Sequence, residues 1–145
     1  MGNKSMQNYQ KILIALDVFA EYEAVLERGL KMASNIADVS LIHVTLPHVY
    51  FEPYGAAFET EIAADIQAQS REKLNKIAQE HGISEDKACS AIGYAADEIQ
   101  SYAEEINADL IVIGTHGRSG LKLLLGSTAN GVLHGVKRDV LAVKV

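Results

Sequence analysis

Four short runs of the chain are almost wholly apolar: KILIALD (residues 11–17), DVSLIHV (38–44), DLIVIG (109–114) and DVLAVKV (139–145). Each is too brief for a helix and is rich in Ile, Leu and Val. Each is also apolar at successive positions, the pattern of a strand buried on both faces. A weaker run, KACSAIG (87–93), is the fifth strand candidate. Between them the apolar positions recur with helical spacing. In EYEAVLERGLKMASNIA (21–37), Ala24, Val25, Leu26, Leu30, Met32, Ala33 and Ile36 form a stripe, and Glu21, Glu23, Glu27 and Lys31 lie elsewhere. FETEIAADIQAQSREKLNKIAQEHG (58–82) repeats the pattern with Ile62, Ile66, Leu74 and Ile77, and predicts a helix that stops at Gly82 after His81. AADEIQSYAEEINA (95–108) and STANGVLHGV (127–136) are the third and fourth helices. The stretch TLPHVYFEPYGAA (45–57) holds both prolines and reads as a long surface loop after the second strand.

Strands alternating with helices imply right-handed βαβ crossovers. The expected fold is a single-domain α/β structure, an open, parallel five-stranded sheet with helices on both faces. In such sheets ligands bind outside the carboxyl ends of the strands, where the strand order reverses. The positions to inspect are therefore Asp17, Val44, Gly93 and Gly114, together with the loop that leaves each strand end.

Composition narrows the partners. With 145 residues, one core can bury about two-thirds of the unfolded surface. Thirteen Lys and Arg are scattered among nineteen Asp and Glu, for a formal net charge of −6, which argues against a nucleic-acid binder. Cys89 is the only cysteine, so an intramolecular disulfide, a C-x-x-C redox pair and a cysteine zinc site are all excluded. The polar start MGNKSMQNYQ lacks an apolar signal core. Residues 1–10 are expected to be a flexible lead-in, a vector remnant being one reading of it, before a domain over 11–145. No apolar run approaches the roughly twenty residues that span a bilayer, so a cytoplasmic protein without membrane contact is expected.

The stretch GTHGRSGLKLLLGSTAN (114–130) directly follows the apolar run ADLIVI. Glycines let backbone N–H groups converge on a phosphate, and a following helix presents free N–H groups with partial positive charge. Gly114, Gly117 and Gly120 supply that freedom. Ser127 and Thr128 follow Gly126 where the fourth helix should begin, and there a hydroxyl either caps the helix or bonds a phosphate oxygen. Arg118 and Lys122 can add charge-assisted bonds. The spacing is neither a P-loop nor G-x-G-x-x-G, and the residues alone leave phosphate cradle and structural turn both open.

ILIALD, SLIHV, ADLIVIGTHGRSGL and LLLGSTANGVLHGVKRDVLAVKV, together with the length, resemble the type-A branch of the universal stress protein family over nearly the whole chain. The resemblance implies a flavodoxin- or Rossmann-like fold and, in nucleotide-binding members, G-x-x-G, nine residues, then G-[ST], with an aspartate ending the first strand. Carried over, Gly114 and Gly117 match the first pair and Gly126 and Ser127 the second. Asp17 matches the aspartate beside the nucleoside. Val44 lies where the second strand touches adenine, and Ala15 and Ile113 line the same crevice. Here only eight residues, Arg118 to Leu125, separate Gly117 from Gly126. The deletion can move Ser127 by roughly 3 Å, enough to break hydrogen bonds.

Other candidates have plainer readings beside them. Asp17 can accept a bond from a ribose hydroxyl or hold Mg²⁺ through water, or it can cap a helix beginning near Ala20. His116 can donate to a phosphate or act as a base, but no residue that would orient it is evident, and a solvated loop histidine is the simpler reading. His43, inside LIHV, reads as a satisfied structural histidine. His43, His48, His81, His116 and His134 show no metal-ligand spacing, and no G-x-S-x-G elbow activates a serine. Cys89 reads as a small core residue. The apolar last strand would leave an open edge, and pairing it with its copy about a two-fold axis would close a homodimer. The family resemblance implies the same contact.

The expectation is thus a cytoplasmic universal stress protein that binds ATP or a related adenine nucleotide, with Mg²⁺, as a switch in the stress response. It carries little or no catalysis, at most weak ATP hydrolysis. A nucleotide-free dimeric interaction module is the alternative, and a hydrolase using Asp17 and His116 the third reading.

Overall fold

The computed structural model describes residues 9–46, 56–115, 131–132, 134 and 137–145, with side chains in the second helix from residue 64 onward. Its five strands are β1 (Ile12–Ala15), β2 (Val39–Thr45), β3 (Ala88–Ile92), β4 (Leu110–Gly114) and β5 (Asp139–Val143). They form one sheet in the order β3-β2-β1-β4-β5, and every neighbouring pair is parallel. All five strand runs of the sequence are present, the weakest as edge strand β3. The chain leaves β1 towards β2 and β3, then returns to place β4 on the other flank of β1, so the order reverses between β1 and β4.

Strict alternation along β1 sorts the core into two layers. Ile12, Ile14 and Leu16 join Val39, Leu41 and Val112 on one face, against Val25 and Leu26 of α1 (Glu23–Lys31) and Leu74, Ile77 and Ala78 of α2 (Ala56–Glu80). Leu13, Ile42, Ile111 and Ile113 form the opposite face, against Ile99 and Ala103 of α3 (Ala95–Glu105) and Val132. Fully burying each of the Val, Leu and Ile side chains stabilises the fold by about 1.5–3 kcal/mol. Continuous apolarity in the sequence was the signature of this double cover. Tight approach needs glycine: a Cβ at Gly29 of α1 would stand 2.5 Å from Ile14 Cδ1.

Helix ends follow local chemistry. After α2, Gly82 takes φ 75°, Ile83 N–H donates to Ala78 O at 2.8 Å and Gly82 N–H to Gln79 O at 3.3 Å. That pair of bonds is the Schellman motif, in the place where the sequence predicts the stop. Asn107, at φ 57°, does the same after α3, with Ala108 N–H donating to Ala103 O at 2.9 Å. The first helix is shorter than its apolar stripe. It ends at Lys31, and beyond it Asn35 accepts from Ala37 N–H at 3.0 Å and opens a separate 3-10 turn at Ile36–Asp38. Thr45 belongs to β2 and Ala56 and Ala57 to α2, so the predicted loop is reduced at both ends, and its residues 47–55 lie outside the described residues. Of the fourth predicted helix, Gly131 and Val132 are helical, and residues 127–130, 133, 135 and 136 lie outside the described residues.

The base of the sheet is tied down by Asp109, whose carboxylate accepts from Gln10 N–H and Lys11 N–H, each at 2.9 Å. Tyr9 donates its hydroxyl to Asp139 at 2.7 Å. Among the described residues no helix is long and apolar enough to cross a membrane.

Candidate functional site

The carboxyl ends of β1 and β4 flank the point where the strand order reverses, and there the candidates among the described residues converge. Ala15 is in register with Ile42 of β2 and lies one step beyond the Ile14–Val112 pair with β4, which sets it beside Ile113. By the two-residue period, Ala15, Val44 and Ile113 share the face that carries α3, and all three pack in the same apolar cluster. Ala15 and Val44 are partly buried and Ile113 is buried. With the small Ala15 between two branched residues, the three form an apolar floor at the strand ends.

Beyond it the chain turns sharply. Leu16 N–H still pairs with Ile42 O at 2.9 Å, and Ala20 N–H bonds back to Asp17 O at 3.0 Å. The Asp17 carboxylate accepts from Phe19 N–H at 3.0 Å, an Asx turn formed by the residue's own side chain. Asp17 is therefore not the cap of the following helix: α1 begins at Glu23 with Tyr22 at its N-cap, and the alternative of a helix starting near Ala20 is corrected. The carboxylate, partly buried, stands at the end of β1 beside the apolar floor.

The turn is buttressed from β2. Val18 N–H reaches His43 Nδ1 at 3.2 Å, and the Phe19 ring meets the His43 ring edge to face, centroids 5.5 Å apart. Lys73 of α2 stands 5.8 Å from the centre of the same Phe19 ring. His43 is 2% exposed, the structural histidine the sequence suggests.

On the β4 side, Gly114 is in register with Val143. Thr115 N–H donates to Val143 O at 2.9 Å, and Val145 N–H to Thr115 Oγ1 at 3.3 Å. The last strand thus fixes the start of the glycine-rich loop. Gly117, Arg118, Gly126, Ser127 and Thr128, with His116 and His48, lie outside the described residues.

The structure brings Ala15, Val44, Ile113 and Gly114 to one end of the sheet with Asp17 among them. It places Cys89 elsewhere, half-buried in β3, where burial pushes the thiol pKa up, Arg71 opposes and Glu105 and Glu98 add to the rise. Among the described residues no group of three His, Cys, Asp or Glu could hold a metal ion. Missed by the sequence reading are Phe19 and Thr115 and the bond from His43 to the turn. Its partners lie far apart along the chain, and only the parallel pairing of β1 with β2 brings them together.

The universal stress protein family model matches residues 8–144. The chain belongs to the universal stress protein family. Universal stress protein A homolog 2 of Coxiella burnetii is 38% identical over 146 residues, covering 97% of this chain and 98% of that protein. Among solved structures, universal stress protein UspA from Lactobacillus plantarum superposes with a TM-score of 0.80 at 22% identity, covering 94% of this chain and 99% of the other, and speaks for the fold. A universal stress protein in complex with cAMP is 29% identical with a TM-score of 0.61, covering 95% and 98% of the two chains. Family membership and these superpositions agree with the single-domain α/β fold described above.

Proposed function

We propose that this universal stress protein binds ATP or a related adenine nucleotide at the carboxyl ends of β1 and β4, as a switch read by partners in the stress response. The observation that carries the reading is the apolar floor of Ala15, Val44 and Ile113 with the Asp17 carboxylate beside it, at the point where strand order reverses. Adenine is flat and apolar on its faces and suits the floor. A ribose hydroxyl suits a carboxylate acceptor at its edge. The phosphates would run towards the loop from Gly114 through Gly117, Arg118, Gly126, Ser127 and Thr128. Mg²⁺ would arrive with the phosphates, since no protein-built metal cluster exists among the described residues. A relative solved with cAMP supports an adenine nucleotide as the ligand class.

Little or no catalysis is expected, because phosphoryl transfer needs a positioned acceptor and a base or metal to activate it. The working form is proposed to be a cytoplasmic homodimer joined through β5. Protein purified from its host, denatured and chromatographed, should release an adenine nucleotide in amounts approaching one per chain. Material free of nucleotide that also takes up none on dialysis against millimolar ATP would favour the interaction module.

A further inference from the structure

We infer that His43 is a positioning residue for the nucleoside end of this site, acting through the backbone of the β1 turn; the inference rests on the adenine-nucleotide reading above. His43 Nδ1 lies 3.2 Å from Val18 N and 3.2 Å from Leu16 O. One ring nitrogen cannot serve both, because it accepts when unprotonated and donates when protonated. The backbone fixes the Val18 hydrogen, which points at Nδ1. A protonated Nδ1 would set two N–H hydrogens face to face and strip a buried amide of its acceptor, for Val18 is 5% exposed. The bonded arrangement is therefore an imidazole with Nδ1 unprotonated, accepting from Val18 N–H. Asp17 sits between the two backbone groups that flank this nitrogen, so the bond holds the residue whose carboxylate is offered to the ribose. Phe19, edge-on to the ring at 5.5 Å, keeps the imidazole from swinging away.

Acceptor and ring can be separated by substitution. Asn Oδ1 stands as many bonds from the backbone as His Nδ1 and accepts in its place, whereas Phe keeps the ring and its contact with Phe19 but offers no acceptor. His43→Phe should weaken adenosine binding about tenfold, the scale of one lost hydrogen bond, and His43→Asn should restore it to within about threefold. In nucleotide-free protein, the Val18 amide should exchange with deuterium about tenfold faster in His43→Phe than in wild type, and near the wild-type rate in His43→Asn. The nitrogen NMR spectrum of wild-type protein should show Nδ1 of His43 unprotonated at neutral pH, a readout that needs no variant to fold. Equal adenosine affinity in wild type and His43→Phe overturns the inference, as does equal loss in both variants, an unchanged Val18 exchange rate, or a protonated Nδ1. Failure of the underlying reading looks different: wild type then takes up no adenosine, while Val18 exchange still responds to His43→Phe.

Discussion

Asp17 carries the most information of any single side chain in this protein. A carboxylate at the end of an apolar run is visible in the sequence, and so is its place at a strand end, where α/β sheets bind ligands. Whether it caps a helix is decided only by where α1 begins, and Glu23 is too far along for that. Asp17→Ala should therefore cost about 1.5–3 kcal/mol of adenine nucleotide affinity, the range for a hydrogen bond to a charged group. Stability should fall by only about 0.5–1.5 kcal/mol, from loss of the bond to Phe19 N–H. Calorimetry and a thermal melt on the same variant check both, and an unchanged affinity would return Asp17 to a purely local role. Cys89 tests the opposite kind of residue. Because burial raises its thiol pKa, little thiolate forms at neutral pH, and a thiol-disulfide reagent should label it several-fold more slowly than free cysteine and at the full rate in denaturant. Labelling of native protein as fast as free cysteine would contradict a core role.

At the scale of elements, existence was legible and boundaries were not. Apolar runs of strand length marked all five strands, because a sheet covered on both faces has no polar side to hide them. Gly82 marked the end of α2 through its left-handed φ, and Asn107 does the same for α3 with no glycine to signal it. The first helix stops short of its apolar stripe, and Asn35 opens a separate 3-10 turn by a side-chain bond that the stripe cannot reveal. How the segment around Gly131 rests on α3 was equally invisible. A Cβ on Gly131 would stand 2.6 Å from the Ala96 Cβ, and the two hydrogens of Gln100 Nε2 are shared among Gly131 O, Val132 O and His134 O at 3.0, 3.1 and 3.1 Å. Both carbons would be bonded directly to backbone, so neither can swing aside. Gly131→Ala should destabilise the fold by about 1–2 kcal/mol, the overpacking cost of about 1–3 outweighing the gain in helix propensity of up to about 1. A denaturant titration reads this, and a variant at least as stable as wild type would show that the segment lifts without cost.

For the whole molecule, strand order was not written in any local pattern; it is read from the sheet itself, β3-β2-β1-β4-β5. The proposed dimer contact also gains definition from the structure. Val143 is buried within its own subunit, so replacing it would disturb that subunit's packing along with any association. Its carbonyl faces β4, and alternation then turns the N–H of the exposed Ala142 to the open edge. Ala142→Pro should remove that edge donor, leave the inner ladder in place and sediment as a monomer at micromolar concentration. A wild-type monomer, or a dimer that survives the substitution, would contradict pairing through β5. The central claim, an adenine-nucleotide site at the carboxyl ends of β1 and β4, is tested most directly by calorimetric titration of wild-type protein with ATP, ADP and AMP. In the proposed site the eight-residue spacing before Gly126 falls at the phosphate end, away from the adenosine contacts. All three should therefore bind, with ATP ahead of AMP by less than about tenfold, or 1.4 kcal/mol. No heat from any of the three at millimolar concentration would contradict the account.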